Sequence, residues 1–141
     1  MPARAKLQPS RAMSEGMQNE ASPPFPLAII VPVYRNAETL RELADRVRAT
    51  LAGSVSDYRL LFVVDASPDE SWSKVLELAS RDKRVTGILL PKNVGQHRAL
   101  LAGLASLRAE MYAILDADLQ DPPEILGAML ERARSHGESV F

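Results

Sequence analysis

Residues 27–34 have the sequence LAIIVPVY, the longest nearly unbroken apolar run in the chain. A strand exposed on one face alternates apolar and polar residues, whereas a strand buried on both faces is apolar throughout. Residues 27–34 therefore predict a buried strand of a parallel sheet. Similar runs at residues 58–64, 85–90 and 111–115 predict three more strands. Residues 139–141 have the composition expected at the start of a fifth.

Amphipathic helical patterns separate these strands. The first predicted helix has one apolar face, made of Leu40, Leu43, Ala44, Val47 and Leu51. The second is predicted around residues 72–79, the third over 95–108 and the fourth over 122–136. Strands that alternate with helices form right-handed crossovers, which build a parallel sheet covered by helices on both faces. The predicted fold class is α/β.

Two predicted helices begin with capping sequences. Residues 67–70 (SPDE) place a hydroxyl at the N-cap, a proline at the first helical position and a glutamate at the third. Residues 121–124 (DPPE) repeat this arrangement with an aspartate cap. We therefore expect the second helix to begin directly after Ser67 and the fourth directly after Asp121. Asp69 and Asp121 also suit the first turn of a helix as favourable negative charges.

Length and composition limit the class of protein. The 141 residues allow one compact domain, and five of the ten prolines lie in residues 1–26, which we predict to be a disordered tail before a domain at 27–141. The 17 basic and 18 acidic residues are mixed along the chain, so we expect no nucleic-acid partner. The absence of cysteine fits a reducing compartment. The apolar runs are shorter than the roughly 20 residues that a transmembrane helix needs.

Polar residues follow three of the predicted strands. Asp65 ends the second strand, Asn93 follows the third, and Asp116 and Asp118 follow the fourth. The carboxyl ends of parallel strands lie at one edge of the sheet, where ligands bind at the point at which the strand order reverses. We therefore expect these side chains to face a common binding site.

Asp116, Asp118 and Gln120 alternate along the chain, so in extended backbone they share a face. Two carboxylates and an amide oxygen are hard donors of the kind that Mg²⁺ and Mn²⁺ prefer. All three can reach one ion only if the chain turns at this point. The alternative is that Asp116 and Asp118 are solvated groups at the end of a strand.

Asp65 also has two interpretations. Its carboxylate could accept a hydrogen bond from the ring N–H of a nucleobase, or it could cap the second helix, a position that Ser67 is already predicted to fill. Asn93 and Gly95 indicate a turn first and a ligand contact second. The cations Arg35, Lys92 and Arg98 are each either a phosphate contact or a solvated surface group. Neither histidine belongs to a zinc-binding motif.

Four segments in this order resemble the family 2 glycosyltransferases of the GT-A fold, in particular the branch that uses polyprenyl-phosphate acceptors. They are IVPVY at 30–34, VDASPD at 64–69, NVGQH at 93–97 and LDADLQDPPE at 115–124. The family often has a second acid at the position of Val64 and a glycine at that of Ala66. The resemblance implies a Rossmann-like GT-A fold, of which residues 27–141 form the donor-binding part without the acceptor-side segment.

The resemblance also implies a site. Pro32 and Tyr34 would border the nucleoside and Asp65 would meet the base. The full set of nucleotide-sugar contacts is Pro32, Tyr34, Asp65, Asn93 and Asp116. The ligands of a Mg²⁺ or Mn²⁺ ion on the donor diphosphate are Asp116, Asp118 and Gln120.

The implied reaction is inverting transfer of a sugar from a nucleoside diphosphate to a polyprenyl phosphate. The implied location is cytoplasmic, including the cytoplasmic face of the membrane. One alternative is a catalytically inactive, nucleotide-binding fragment of such an enzyme. A phosphoryl-accepting receiver domain is disfavoured, because it would need an acidic pair after the first strand, where this chain has Val33 and Tyr34.

Overall fold

The computed structural model describes residues 22–137, in which strands and helices alternate as the sequence predicts. The elements in chain order are β1 (Phe25–Val33), α1 (Leu40–Leu51), β2 (Tyr58–Val64), α2 (Ser71–Arg81), β3 (Val85–Leu89), α3 (Gln96–Ser106), β4 (Ala109–Ile114) and α4 (Ile125–His136). No helix in this part of the chain combines the length and the apolarity needed to cross a membrane.

The four strands form one parallel sheet in the order β3-β2-β1-β4. β1 lies inside the sheet, with Ile29 opposite Leu60 of β2 on one side and opposite Ala113 of β4 on the other. The chain therefore adds β2 and β3 to one side of β1 and then returns to add β4 to the other. This reversal creates a topological switch point between β1 and β4, at the carboxyl ends of the strands.

Helices cover both faces of the sheet, which accounts for the continuous apolar run of β1. Ile29 and Val31 belong to a core cluster with residues of α1, α2 and α4. Ala28 and Ile30 point to the opposite face and pack in a second cluster with α3. A side chain at Gly103 of α3 would meet Ile30 at 2.6 Å, so the glycine allows this helix to lie directly against the sheet.

The predicted helix starts after Ser67 and Asp121 are wrong. α2 begins at Ser71 and α4 at Ile125, and neither has a side-chain cap. The Ser67 hydroxyl instead accepts the Arg35 backbone N–H at 2.8 Å and donates to Asp69 at 2.6 Å. Before α4, Ile125 N–H donates to the Pro122 carbonyl at 3.1 Å and Leu126 N–H to the Pro123 carbonyl at 3.1 Å, so residues 122–124 form a tighter turn that leads into the helix.

The amino-terminal boundary also differs from the prediction. Phe25 and Pro26, assigned to the tail at the sequence level, are the first residues of β1. Phe25 N–H donates to the Arg108 carbonyl at 3.0 Å, and the Arg59 guanidinium lies 4.1 Å from the centroid of the Phe25 ring. Residues 1–21 of the tail predicted at 1–26 lie outside the described residues, as does the strand start predicted at 139–141.

β4 is an edge strand with an exposed apolar face. Within residues 22–137, β1 is its only strand partner. Tyr112 and Ile114 lie on the face that α3 covers elsewhere in the sheet, yet they are 43% and 48% exposed. An open edge beside exposed apolar side chains is a template for pairing with another chain.

We predict that the 141-residue chain self-associates through β4 and that Ile114→Lys shifts it toward the monomer, because a charge on an edge strand opposes pairing. Sedimentation velocity over a range of concentrations measures the shift. Ile125→Lys is the matched control, since Ile125 is similarly exposed at 44% but lies on α4. An equal effect of both substitutions would contradict an interface at β4.

Candidate functional site

The carboxyl ends of the strands surround an open cleft of about 520 Å³. Six of the seven site residues expected from the sequence line it: Pro32, Tyr34, Asp65, Asn93, Asp116 and Asp118. The seventh, Gln120, is exposed and is not among the lining residues. Val33, Asn36, Gly95, Gln96 and Ala117 complete the lining. The structure thus brings the predicted nucleotide contacts and both predicted aspartate ligands to one place.

Asp65 is a buried acid whose two carboxylate oxygens both accept backbone hydrogen bonds. Oδ1 accepts the Val94 N–H and Oδ2 accepts the Gly95 N–H, each at 2.8 Å. The Asn93 side-chain amide donates to the Asp65 backbone carbonyl at 3.2 Å. Asp65 therefore ties the end of β2 to the β3–α3 loop, a function that the sequence did not indicate. Each carboxylate oxygen has a second lone pair, so the predicted contact with a base remains chemically available.

The chain turns directly after Asp118. Its Oδ1 accepts the Gln120 backbone N–H at 3.1 Å, and Leu119 between them has φ +62°. A turn at this point was the condition for Asp116, Asp118 and Gln120 to reach one ion. The Gln120 side chain nevertheless lies outside the cleft lining. Asp116 accepts a hydrogen bond from the Gln96 amide at 3.3 Å across the cleft.

Two carboxylates on one cleft suit a divalent cation that is shared with a ligand. No group of three or more histidine, cysteine or acidic residues able to hold a metal occurs within residues 22–137. Mg²⁺ is commonly held by one or two carboxylates together with substrate phosphates and water. The donor set formed by Asp116 and Asp118 fits that kind of site and does not resemble an all-protein metal cage.

The loop between β1 and α1 is held by side chains of the β2–α2 loop and of Ser71, the first residue of α2. Ser67 accepts the Arg35 N–H at 2.8 Å, Ser71 the Asn36 N–H at 3.3 Å, and Asp69 the Ala37 N–H at 3.3 Å. Burial opposes ionisation of Asp69, but hydrogen bonds from Ser67, Ser71 and Ala37 outweigh it and lower the pKa of the carboxyl to about 2. Asp69 is therefore an anionic anchor between the two loops at neutral pH.

Within residues 22–137, three residues other than glycine adopt left-handed backbone, and each follows a strand that ends at the cleft. Arg35 after β1 has φ +57°, Ala66 after β2 has φ +51°, and Leu119 after β4 has φ +62°. Such conformations cost free energy and cluster at functional sites. The left-handed turn at Ala66 explains why the resembled family often has glycine there.

Of the three cations considered as phosphate contacts, Arg35 lies beside the cleft and Lys92 and Arg98 do not line it. Arg35 lies beside the site, with its guanidinium 5.5 Å from the centroid of the Tyr34 ring. Lys92 and Arg98 are exposed and are not among the residues that line the cleft. Asn36 and Gln96 were missed as individual site residues, although both lie in or next to the segments that carry the resemblance.

Structural comparison first identifies the class. The parallel α/β fold is shared with solved structures. S. aureus TarS (residues 1–349) superposes with a TM-score of 0.66 at 19% identity, covering 79% of this chain and 33% of TarS. The mannosyltransferase PcManGT from Pyrobaculum calidifontis, in complex with GDP-Man and Mn²⁺, superposes with a TM-score of 0.58 at 22% identity, covering 79% and 39%. The fold is the Rossmann-like GT-A fold.

Sequence comparison then identifies the family. The model of Glycosyl transferase family 2 matches residues 28–141, and the chain belongs to that family. It is 36% identical over 116 residues to an undecaprenyl-phosphate 4-deoxy-4-formamido-L-arabinose transferase of Shewanella sediminis (strain HAW-EB3), covering 81% of this chain and 35% of that protein. The corresponding Pseudomonas fluorescens (strain SBW25) transferase is 36% identical over 114 residues, with 78% and 33% covered. The chain spans about a third of the length of these relatives.

We predict that Ala66→Gly raises the free energy of unfolding by up to about 1 kcal/mol, because relief of left-handed strain outweighs the extra freedom of glycine in the unfolded chain. Urea denaturation measures the change. Ala128→Gly is the control: Ala128 is exposed inside α4, where glycine should cost roughly 0.5–1 kcal/mol. Similar losses in both variants would show that Ala66 is not strained.

Proposed function

We propose that this chain is the donor-binding part of a glycosyltransferase that uses a nucleoside-diphosphate sugar and a divalent metal ion. The observation that carries the proposal is the placement of Asp116 and Asp118 in the same cleft as Tyr34 and Asp65, at the switch point of the sheet. A diphosphate between the aspartate pair and Tyr34 would place its nucleoside against the β1 and β2 ends.

The nucleoside would occupy the β1 and β2 side of the cleft. Pro32 and Tyr34 border it there, and Tyr34 is 44% exposed, so its ring is accessible for stacking. Asp65 would accept a base N–H through a lone pair that the loop amides leave open. Asn93 lines the cleft while its amide donates to the Asp65 carbonyl, which places it at the same end of the site.

The diphosphate would occupy the β4 side. Asp116 and Asp118 would hold Mg²⁺ or Mn²⁺, and the bound ion would neutralise the charge that develops on the departing nucleotide. Diphosphate oxygens and water would complete the coordination shell. Gln120, expected as a third ligand, lies beyond the turn that Asp118 and Leu119 form, so we assign the metal to the aspartate pair.

The acceptor we propose is a polyprenyl phosphate, as in the two transferases of 36% identity. Its phosphate is ionised near neutral pH, so its oxygen can attack the anomeric carbon without a strong general base. Attack from the face opposite the leaving nucleotide inverts the anomeric configuration. Because polyprenyl phosphates are membrane lipids, this acceptor would bring the site to a membrane surface, which we propose to be the cytoplasmic one.

We predict that Mn²⁺ strengthens the binding of UDP or GDP to the 141-residue chain and that Asp118→Asn removes this gain. Isothermal titration calorimetry with and without Mn²⁺ measures it. Asp121→Asn is the matched control, because Asp121 is an exposed acid three residues away that is not among the cleft-lining residues. An undiminished Mn²⁺ effect in Asp118→Asn would overturn the metal assignment.

We also predict that Asp65→Asn lowers nucleoside diphosphate affinity by about 10- to 150-fold, the range expected for a hydrogen bond to a charged group. The affinity for inorganic pyrophosphate with Mn²⁺ should change little, because pyrophosphate has no base. Calorimetry with both ligands separates the two effects. Equal losses for both would mean that Asp65 acts only by holding the β3–α3 loop.

A transfer assay with nucleotide sugars and polyprenyl phosphate then distinguishes an active enzyme from a nucleotide-binding fragment. We expect the 141-residue chain to bind nucleotide and to transfer no sugar by itself. Much of the rate gain depends on holding the acceptor oxygen about 3–3.5 Å from the anomeric carbon, and the chain spans only about a third of the length of its transferase relatives. Turnover that is lost in Asp118→Asn would show that these residues alone suffice for catalysis.

A further inference from the structure

Thr39 lies at the start of α1, in the N-cap position, but its side chain makes no capping hydrogen bond. Its hydroxyl lies 2.5 Å from the Ala117 carbonyl oxygen and 3.1 Å from the Asn36 carbonyl oxygen. A hydroxyl has a single proton to donate. The Asn36 carbonyl already accepts the Thr39 backbone N–H at 3.1 Å, so the hydroxyl proton goes to the closer Ala117 carbonyl.

Ala117 is the residue between the two aspartates of the cleft. The pairing of β4 with β1 ends at Ile114, and Leu115 N–H adds one more bond, to the Ile30 carbonyl at 3.1 Å. Ala117 is beyond these bonds and only 4% exposed. The hydrogen bond from Thr39 spans 78 positions in the sequence and holds the backbone between the two aspartates.

The peptide unit that Thr39 holds also orients Asp118. The Ala117 carbonyl belongs to the peptide bond that leads into Asp118, and Asp118 then closes its turn onto the Gln120 N–H. If the Ala117 carbonyl rotated, the direction from which the Asp118 side chain leaves the backbone would change with it. The hydrogen bond from Thr39 therefore restrains the peptide unit between the two aspartates.

We propose that Thr39 is a positioning residue for the metal pair Asp116 and Asp118. It connects the β1–α1 loop, which carries Tyr34 and Asn36, to the loop after β4. This inference rests on the proposed function, because it assumes that the aspartate pair binds a metal with the nucleotide. Thr39 lies outside the predicted site, and we expect it to affect the binding of the metal and not the binding of the nucleoside.

The experiment compares Thr39→Val, Thr39→Ala and Thr39→Ser in the 141-residue chain. Valine keeps the shape and removes the donor, alanine removes both the donor and the branch, and serine keeps the donor. Thr50→Val is the matched control: it is the same substitution 11 positions further along the chain, at the other end of α1. Electron paramagnetic resonance of free Mn²⁺ gives the metal affinity in the presence of UDP or GDP. Calorimetry without metal gives the nucleotide affinity, and thermal melting reports folding.

We expect Thr39→Val and Thr39→Ala to weaken Mn²⁺ binding by about tenfold or more, because a buried carbonyl loses its donor at the metal loop. Thr39→Ser and Thr50→Val should bind Mn²⁺ like the unaltered chain. Metal-free nucleotide affinity should stay the same in all four variants. Alanine serves as the second donor-free variant if valine prevents folding.

Four results would overturn the inference. Unchanged Mn²⁺ affinity in a folded donor-free variant would do so while leaving the proposed function intact. Parallel losses of metal-free nucleotide affinity and melting temperature would show that Thr39 only supports the fold, as would failure of both donor-free variants to fold. If Mn²⁺ does not strengthen nucleotide binding in the unaltered chain, the proposed metal role fails, and the inference fails with it.

Discussion

The burial of β1 on both faces is the constraint on which the rest of the molecule depends. Because β1 lies between β2 and β4 in a parallel sheet, the loops that follow all three strands must meet at the same edge. Helices on both faces make the interior strands apolar along their length, so polar side chains accumulate where the strands end. The cleft lies at this edge because the chain reverses its direction across the sheet beside β1.

Hydrogen bonds between the loops then convert this meeting of loops into a defined site. Asp65 accepts two loop amides, and Asp69 and Ser67 hold the loop after β1. Thr39 connects that loop to the one after β4. The hydrogen bonds to backbone N–H groups offset the cost of placing a carboxylate out of water, which is how a charged group as buried as Asp65 is tolerated. The loops are thus held together by the chain's own residues, with the aspartate pair facing the cleft.

Features that depend on local pattern or on strand direction could be predicted from the sequence. The four strands, the parallel α/β class and the placement of Asp65 near Asp116 and Asp118 were predicted correctly, because apolar runs and the common carboxyl edge determine them. The predicted start of α2 was wrong because Ser67 finds its backbone partner 32 positions away, at Arg35, and not in the next turn. The hydrogen bonds of Thr39 and Asp65 could not be predicted for the same reason. Their partners are distant in the sequence, and a local sequence pattern contains no information about them.

In the proposed function, a divalent metal and a nucleotide share the cleft formed by the strand ends. Paramagnetic broadening of backbone amide NMR signals by Mn²⁺, with UDP or GDP bound to the isotope-labelled chain, tests it most directly. We expect selective broadening at residues 116–118, and then at the neighbouring loops 34–36 and 94–96. Amides at the opposite edge, such as Leu60 and Val85, should keep their intensity. Broadening centred elsewhere, or unchanged by the nucleotide, would show that the metal and the nucleotide do not share this cleft.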